Sequence, residues 1–282
     1  MMAYPANFYS NKLALISGGS SGIGLALARQ LAQSGANVWL LARRRDQLEM
    51  ALNSLSTSPS QRHGILMGDV SDWNTVVRLV EDLKQEIGTP DLIINSAGIT
   101  QPGYVQELPI EIFERMISVN YLGTVYITKA LLPSLIERGS GVIVNISSVA
   151  GFIGTFGYSA YGASKFAVRG FSDVLRAELK PHGIQVAVVF PPDTDTPQLA
   201  YEEPFKPPET RALSKSGGLL TAEQVALAIL NGVSRGKYII LPGLETKILY
   251  HLNHLLGNAI YPLMDMLIAN ARSQINKNNS KI

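Results

Sequence analysis

The sequence predicts an α/β fold: one doubly wound parallel sheet with helices on both faces, continued by a C-terminal helical extension. Three observations lead there. Seven short apolar runs, Leu13–Ile16, Val38–Leu41, Ile65–Met67, Leu92–Ile94, Val142–Ile146, Val186–Phe190 and Tyr238–Leu241, alternate with longer stretches of helical pattern, the order that builds parallel crossover units. Several runs are apolar throughout rather than at every second residue, as strands covered on both faces must be. No linker divides the 282 residues, so 1–282 is expected to be a single domain.

Composition supports a core and excludes several classes. Hydrophobic residues make up 46% and charged residues 16%, which rules out wholesale disorder. The net charge is +2 and no long Lys/Arg run occurs, so no nucleic-acid partner is expected. The absence of Cys excludes disulfides, a thiolate nucleophile and Cys-based zinc, and fits a reducing, cytoplasmic setting. His63, His182, His251 and His254 are too scattered for a metal cluster, so no metal is expected. Residues 1–11 lack a signal-peptide pattern. The most apolar long stretch, Ile248–Ile268, is interrupted by His, Asn, Pro and Asp, so no spanning helix is expected.

Taken in order, the first strand runs into Ser17-Gly18-Gly19-Ser20-Ser21-Gly22-Ile23-Gly24, which opens the helix Gly22–Ser34. Glycines there let the backbone turn tightly and approach a pyrophosphate, and the helix N-terminus offers free N–H groups to the anion. The second strand ends Ala42-Arg43-Arg44-Arg45 and enters the helix Asp46–Ser54. An acidic residue that would favour NAD is missing, and guanidinium groups stand where a 2′-phosphate would lie. NADPH/NADP+ is therefore the expected cofactor, with Arg43 as its main contact and Arg44 as the second choice. The third strand leads through Gly68-Asp69-Val70 to Trp73–Ile87, and the fourth ends Asn95-Ser96-Ala97-Gly98. One long helix, Glu111–Arg138, follows and carries Asn120. The fifth strand ends at Ser147-Ser148, where open α/β sheets place ligands. The helix Tyr158–Lys180 then sets Tyr161 and Lys165 one turn apart on one face. A phenol titrating near 10 needs its pKa brought toward neutrality to serve carbonyl chemistry, and a neighbouring ammonium acts in that direction. The segment Pro191–Leu220 is read as a long lid loop (residues 191–220), followed by the helix Ala222–Ser234.

These motifs in this order, from S-G-G-S-S-G-I-G through N-S-A-G to Y-G-A-S-K, resemble the short-chain dehydrogenase/reductase family over about Asn11–Leu241. The resemblance implies a Rossmann fold with seven parallel strands. It implies Tyr161 as acid/base, Ser148 orienting the carbonyl, Lys165 lowering the Tyr161 pKa while holding the nicotinamide ribose, and Asn120 supporting a water-linked proton relay. It assigns to the cofactor Gly18, Ser20, Ser21, Gly22, Ile23, Gly24, Asp69, Val70, Asn95, Ala97, Gly98, Pro191 and Thr196, beside Tyr161 and Lys165. Two departures are Ser17 in place of Thr, and Pro191-Pro192 in place of Pro-Gly, which removes a backbone donor. A homo-oligomer, dimer or tetramer, is implied as well.

Phe190-Pro191-Pro192-Asp193-Thr194-Asp195-Thr196-Pro197 and Phe156-Gly157-Tyr158-Ser159-Ala160-Tyr161 resemble the branch that reduces 3-ketodihydrosphingosine (3-dehydrosphinganine). A long-chain lipid ketone is then the expected substrate. Ketoacyl thioesters, steroids or small carbonyls are alternatives, and a non-catalytic NADP(H)-binding regulator is a remote one. Asp193, Asp195, Glu202 and Glu203 would attract an ammonium or simply be solvated. Ile248, Leu249, Leu252, Leu255, Leu256, Leu263 and Leu267 would form an alkyl-binding stripe or pack on the domain or a partner. The extension, residues 243–275, is expected to be helical with a bend near Pro262, its apolar side chains partly buried against the lid 191–220 or a neighbouring subunit; peripheral contact of the exposed remainder with a membrane surface is an alternative that stays open.

Overall fold

The computed structural model describes residues 5, 7–214 and 218–279. In chain order the elements begin β1 (Leu13–Ser17), α1 (Gly22–Gln33), β2 (Asn37–Ala42), α2 (Arg45–Asn53), β3 (His63–Met67), α3 (Trp73–Glu86) and β4 (Leu92–Asn95). They continue α4 (Ile110–Met116), α5 (Gly123–Arg138), β5 (Gly141–Ile146), α6 (Ser159–Leu179) and β6 (Ile184–Val189). The remainder is β7 (Thr194–Asp195), α7 (Pro197–Glu202), α8 (Pro208–Ser214), β8 (Leu220–Thr221), α9 (Ala222–Ser234), β9 (Ile239–Ile240), α10 (Leu244–Leu256) and α11 (Ile260–Asn279). Among the described residues, seven strands form one sheet in the order β3-β2-β1-β4-β5-β6-β9, parallel throughout. The order reverses between β1 and β4, and the crevice outside their carboxyl ends is where such sheets bind ligands.

The apolar runs lack alternation because each face of the sheet meets its own helices. In β1, Ala14 and Ile16 join a core with Leu27 and Leu31 of α1 and Ile229 of α9. Leu13 and Leu15 join Val80 of α3, Leu131 of α5 and Leu175 of α6 on the other face. Both clusters are essentially dry, so a polar substitution at either parity exposes an unpaired group to the core.

Three expectations change. The helix expected over Glu111–Arg138 is interrupted by a π-helical segment, Ile117–Leu122, between α4 and α5; wide turns of this kind are inserted inside helices, often at functional sites. The described residues of 191–220 do not form an open loop: β7 pairs with β8, and α7 and α8 lie between them. In the tail the break falls at Gly257–Ala259, with Gly257 at φ 51°, and Pro262 sits in the first turn of α11. A proline there costs no hydrogen bond, because first-turn N–H groups have no intrahelical partner.

The extension packs where the sequence left the choice open. Tyr250 and Ile260 are buried with Phe152, Phe190 and Val188, and Leu249, Leu256 and Leu263 lean on that cluster. Helix α11 lies against α8. Arg272 donates from Nε to Glu209 at 3.0 Å, and Tyr104 donates its hydroxyl to the other Glu209 oxygen at 2.7 Å. The seven residues of the expected stripe do not share one environment: Ile248, Leu255 and Leu267 are exposed, and Leu249 alone of the seven lines the cavity described next.

Candidate active site

A cavity of about 510 Å³ opens at the carboxyl ends of the strands. The loop after β1 forms one end. Gly18 has φ +67°, and a Cβ there would lie 2.8 Å from the main chain of Ala97. A Cβ on Gly24 would lie 2.3 Å from the Gly18 carbonyl oxygen. Only glycine fits either place, and the result is a cradle of bare backbone at the N-terminus of α1. Ser21 caps α1 without a side-chain hydrogen bond to the first turn, so those donors stay available to an anion. These features fit the dinucleotide that the sequence predicts. Ser20, Ser21, Gly22, Ile23, Arg43, Arg44, Asp69, Val70, Ala97, Gly98, Pro191 and Thr196 all line the same cavity. Arg43 makes one long ion pair, 3.8 Å to Asp69, and stays mostly exposed, whereas Arg45 turns away to Glu49 at 2.8 Å. Arg44 reaches Gln47, which leaves Arg43 the freer guanidinium.

At the other end stand Ser148, Tyr161 and Lys165. Ser148 caps the short turn after β5 and accepts from the Ala150 N–H at 3.2 Å. Its own hydrogen is then free to donate, and it reaches the Tyr161 phenol, as does Gln198. Lys165 is 5% exposed and donates to the Ile146 carbonyl at 2.9 Å. Its Nζ lies 5.6 Å from the Tyr161 ring centre. Burial lowers the Lys165 pKa to about 8. Burial is also the largest influence on Tyr161 and pushes its phenol up; the Glu202 and Asp193 charges add to that, against the Ser148 and Gln198 hydrogen bonds. In this state the phenol therefore sits above its ordinary value, not below it as the Tyr–Lys spacing suggested.

Asn95 and Asn120 stand behind the cavity wall. Asn95 donates from Nδ2 to Asn145 at 2.8 Å and Thr128 at 3.1 Å. Asn120, in the π-helical segment, accepts from the Ile99 N–H at 2.8 Å and donates to Ser164 at 2.9 Å. Both side chains are fully buried, so the Asn120 amide braces α6 and the loop after β4 and does not line the cavity. Of the four acids, Asp193 and Glu202 line the cavity, while Asp195 and Glu203 are exposed. Tyr158 and Gln198 were not singled out as site residues from the sequence. Tyr158 had a signal, since it stands three residues before Tyr161 on one helical face. Gln198 had none.

Comparison with known proteins agrees with this geometry. The short chain dehydrogenase family model matches residues 12–206. A mouse protein named 3-ketodihydrosphingosine reductase is 40% identical over 228 residues, covering 79% of this chain and 69% of its own. A short-chain dehydrogenase from Streptomyces avermitilis superposes with a TM-score of 0.77 at 28% identity, over 94% of this chain and 99% of that one. One from Sphingobium yanoikuyae, solved in complex with NADPH, gives 0.74 at 29% identity, over 90% and 95%. Sheet order, glycine cradle and the Ser148–Tyr161–Lys165 set thus coincide with a match over most of the chain, and the chain belongs to the short-chain dehydrogenase/reductase family, oxidoreductases that use a nicotinamide cofactor.

Proposed function

We propose that this chain uses NADPH to reduce the ketone of 3-ketodihydrosphingosine, or a close long-chain analogue, to a secondary alcohol. The observation that carries the reading is the cavity itself. It joins a phosphate cradle beside the mostly exposed Arg43 guanidinium, held only by a 3.8 Å ion pair to Asp69, to a phenol and a serine hydroxyl, and it ends on an acidic wall. The names and the 35–40% identity of several relatives support the choice of lipid. Gly18 to Gly24, Arg43, Lys165 and Thr196 would hold the cofactor, whose chemistry when bound is delivery of a hydride to the carbonyl carbon. Ser148 donates a hydrogen bond to the carbonyl oxygen, and Tyr161 donates the proton that turns this oxygen into the alcohol. A phenol held above its ordinary pKa stays protonated at neutral pH, the state that reduction requires. Contact with a membrane and assembly as a homo-oligomer belong to the same reading.

The test is NADPH consumption with 3-ketodihydrosphingosine beside ketoacyl thioesters and steroid ketones, with NADH in parallel. Highest kcat/KM for the sphingoid ketone with NADPH supports the proposal; preference for a thioester or steroid overturns the substrate. Arg43→Ala should lower kcat/KM for NADPH at least tenfold more than for NADH, and equal use of both cofactors by the wild type would overturn the cofactor.

A further inference from the structure

Two pairs of polar side chains meet at the Tyr161 end of the cavity. Tyr158, at the start of α6, stands three residues before Tyr161, and their ring centres are 5.8 Å apart. On α7, Gln198 and Glu202 stand four residues apart and share one helical face. Glu202, 6% exposed, accepts the Tyr158 hydroxyl at 2.8 Å. Gln198 lines the cavity, and its amide is a hydrogen-bond neighbour of the Tyr161 phenol. The pairing therefore runs in opposite directions along the two helices, 158 with 202 and 161 with 198. A buried carboxylate is a costlier way to join two helices than apolar contact. Lys206, one turn on, offsets part of its charge at 3.4 Å. What the polar bond adds is direction: it fixes the register of α7 on α6. Thr100, buried in the loop after β4, stands beside the same carboxylate. Gln198 itself is exposed, so its place is set by the helix that carries it.

The reaction proposed above commits the one Ser148 hydrogen to the ketone oxygen. Tyr161 gives its proton to that same oxygen, and its own oxygen is left as a phenolate. Lys165 lies over the ring, 5.6 Å from its centre, and donates to the Ile146 carbonyl. The Glu202 and Asp193 charges both disfavour a phenolate here. A donor at the phenol oxygen offsets that cost, and the Gln198 amide is the cavity-lining group beside it. A hydrogen bond accepted by the phenol also strengthens it as a donor before the proton moves. We infer that Gln198 is a catalytic residue whose Nε2–H donates to the Tyr161 oxygen during proton transfer, and that Tyr158 and Glu202 are positioning residues that keep it there by fixing α7. This rests on the ketone-reductase reading above and extends its machinery beyond Ser148, Tyr161 and Lys165.

The experiment uses the whole chain with NADPH and the ketone of highest kcat/KM in the panel above. Gln198→Leu, close in size but without a donor, should lower kcat at least tenfold while NADPH affinity stays unchanged. Gln198→Glu keeps an acceptor and loses the donor, so it should be impaired at least as much. The solvent deuterium isotope effect on kcat should rise in both, because proton transfer is the step that slows. Tyr158→Phe and Glu202→Leu should each lower kcat at least fivefold. Glu202→Gln, which still accepts from Tyr158, should recover most of the loss seen in Glu202→Leu. Gln198→Leu combined with Tyr158→Phe should be within twofold of Gln198→Leu alone, since both act through one amide. In the cofactor-free protein, hydrogen exchange in 197–202 should quicken at least fivefold in Tyr158→Phe, a readout that needs no turnover. Full kcat with an unmoved isotope effect in Gln198→Leu overturns the catalytic role. Losses that multiply in the double variant, or unchanged exchange in Tyr158→Phe, overturn the positioning. Reduction of no ketone by the wild type would overturn the reductase reading itself, and this inference with it. Thermal melts of each variant separate misfolding from lost chemistry.

Discussion

Tyr161 and Lys165 are both shaped by burial, in opposite senses, because removal from water disfavours the anion of one and the cation of the other. For Tyr161 this preserves the acid form. Tyr161→Phe should therefore lower ketone reduction below a few per cent of wild type while NADPH affinity changes little; fluorescence titration of NADPH beside initial rates reads both. Ser148→Ala should lower kcat roughly 10²–10³-fold, the scale for losing a preorganised donor to a reacting oxygen. For Lys165 burial has a consequence for stability. Its native pKa, about 8, lies below the ordinary 10.5, so between those values the unfolded chain binds more protons than the native one. Stability contributed by this group rises with pH across that window and is penalised in full below pH 8. Without cofactor, the stability change caused by Lys165→Met should be more favourable at pH 6.5 than at pH 10.5 by about 3 kcal/mol, since the loss of the bond to the Ile146 carbonyl is common to both pH values. Urea melts at the two pH values read it; an equal change at both would refute the assignment. At this scale the sequence was informative where chemistry is tied to spacing, as for Gly18, Ser148, Tyr161, Lys165 and Arg43. It was silent on where a side chain points, so the inward-braced amides of Asn95 and Asn120 were indistinguishable from cavity-facing ones.

Between elements, α6 is fixed by polar contacts that the apolar pattern does not encode. Asn120 reaches Ser164 from the π-helical segment, and Ser147 donates to the Lys165 carbonyl at 2.9 Å. The π segment escaped the sequence reading because Ile117–Leu122 has the composition of ordinary helix; one extra residue in a turn leaves no compositional mark. The segment after β6 was read as loop because its Pro, Thr and Glu content suits loops, yet Thr196 caps α7 ahead of Pro197 and Thr221 builds a full capping box on α9. Helix α8 is held by Glu209, 7% exposed and shared between Tyr104 and Arg272, and by Thr210, which donates to the Phe156 carbonyl at 3.0 Å. Arg272→Ala removes one partner of a nearly buried carboxylate, a loss of about 1–3 kcal/mol confined to α8 and α11. Hydrogen exchange should quicken at least fivefold in 208–214 and stay unchanged in the β1 and β5 amides. Unchanged exchange in 208–214 would show that the pair does not hold the helix.

For the whole molecule, the family match covers residues 12–206; α8, β8, α9, β9, α10 and α11 lie outside it, although β9 completes the sheet and α9 belongs to one of its helical layers. Among the described residues no helix is long and apolar enough to cross a membrane. The extension nevertheless divides its apolar side chains between two environments. Tyr250, Ile260 and Leu256 pack onto Phe152 and Phe190, whereas Leu244 is 70% exposed, Ile248 56%, Leu255 83% and Tyr261 63%. Apolar residues exposed on a helix are the kind that meet another molecule or a lipid surface, and the membrane contact proposed above would use them. Because Ile248 and Leu255 are mostly exposed and lie outside the core cluster that Leu256 leans on, they can be changed without unfolding the tail. Ile248→Asp with Leu255→Asp should leave the melting temperature within about 2 °C, consistent with surface substitutions, and abolish flotation with liposomes of neutral and anionic lipid that wild type binds. Activity on the long-chain ketone presented in liposomes should fall at least fivefold, with activity on a short soluble ketone unchanged. Wild-type protein that fails to float would assign the exposed apolar side of α10 to a protein contact, and a dimer dissociated by the same double substitution would then be the expected finding.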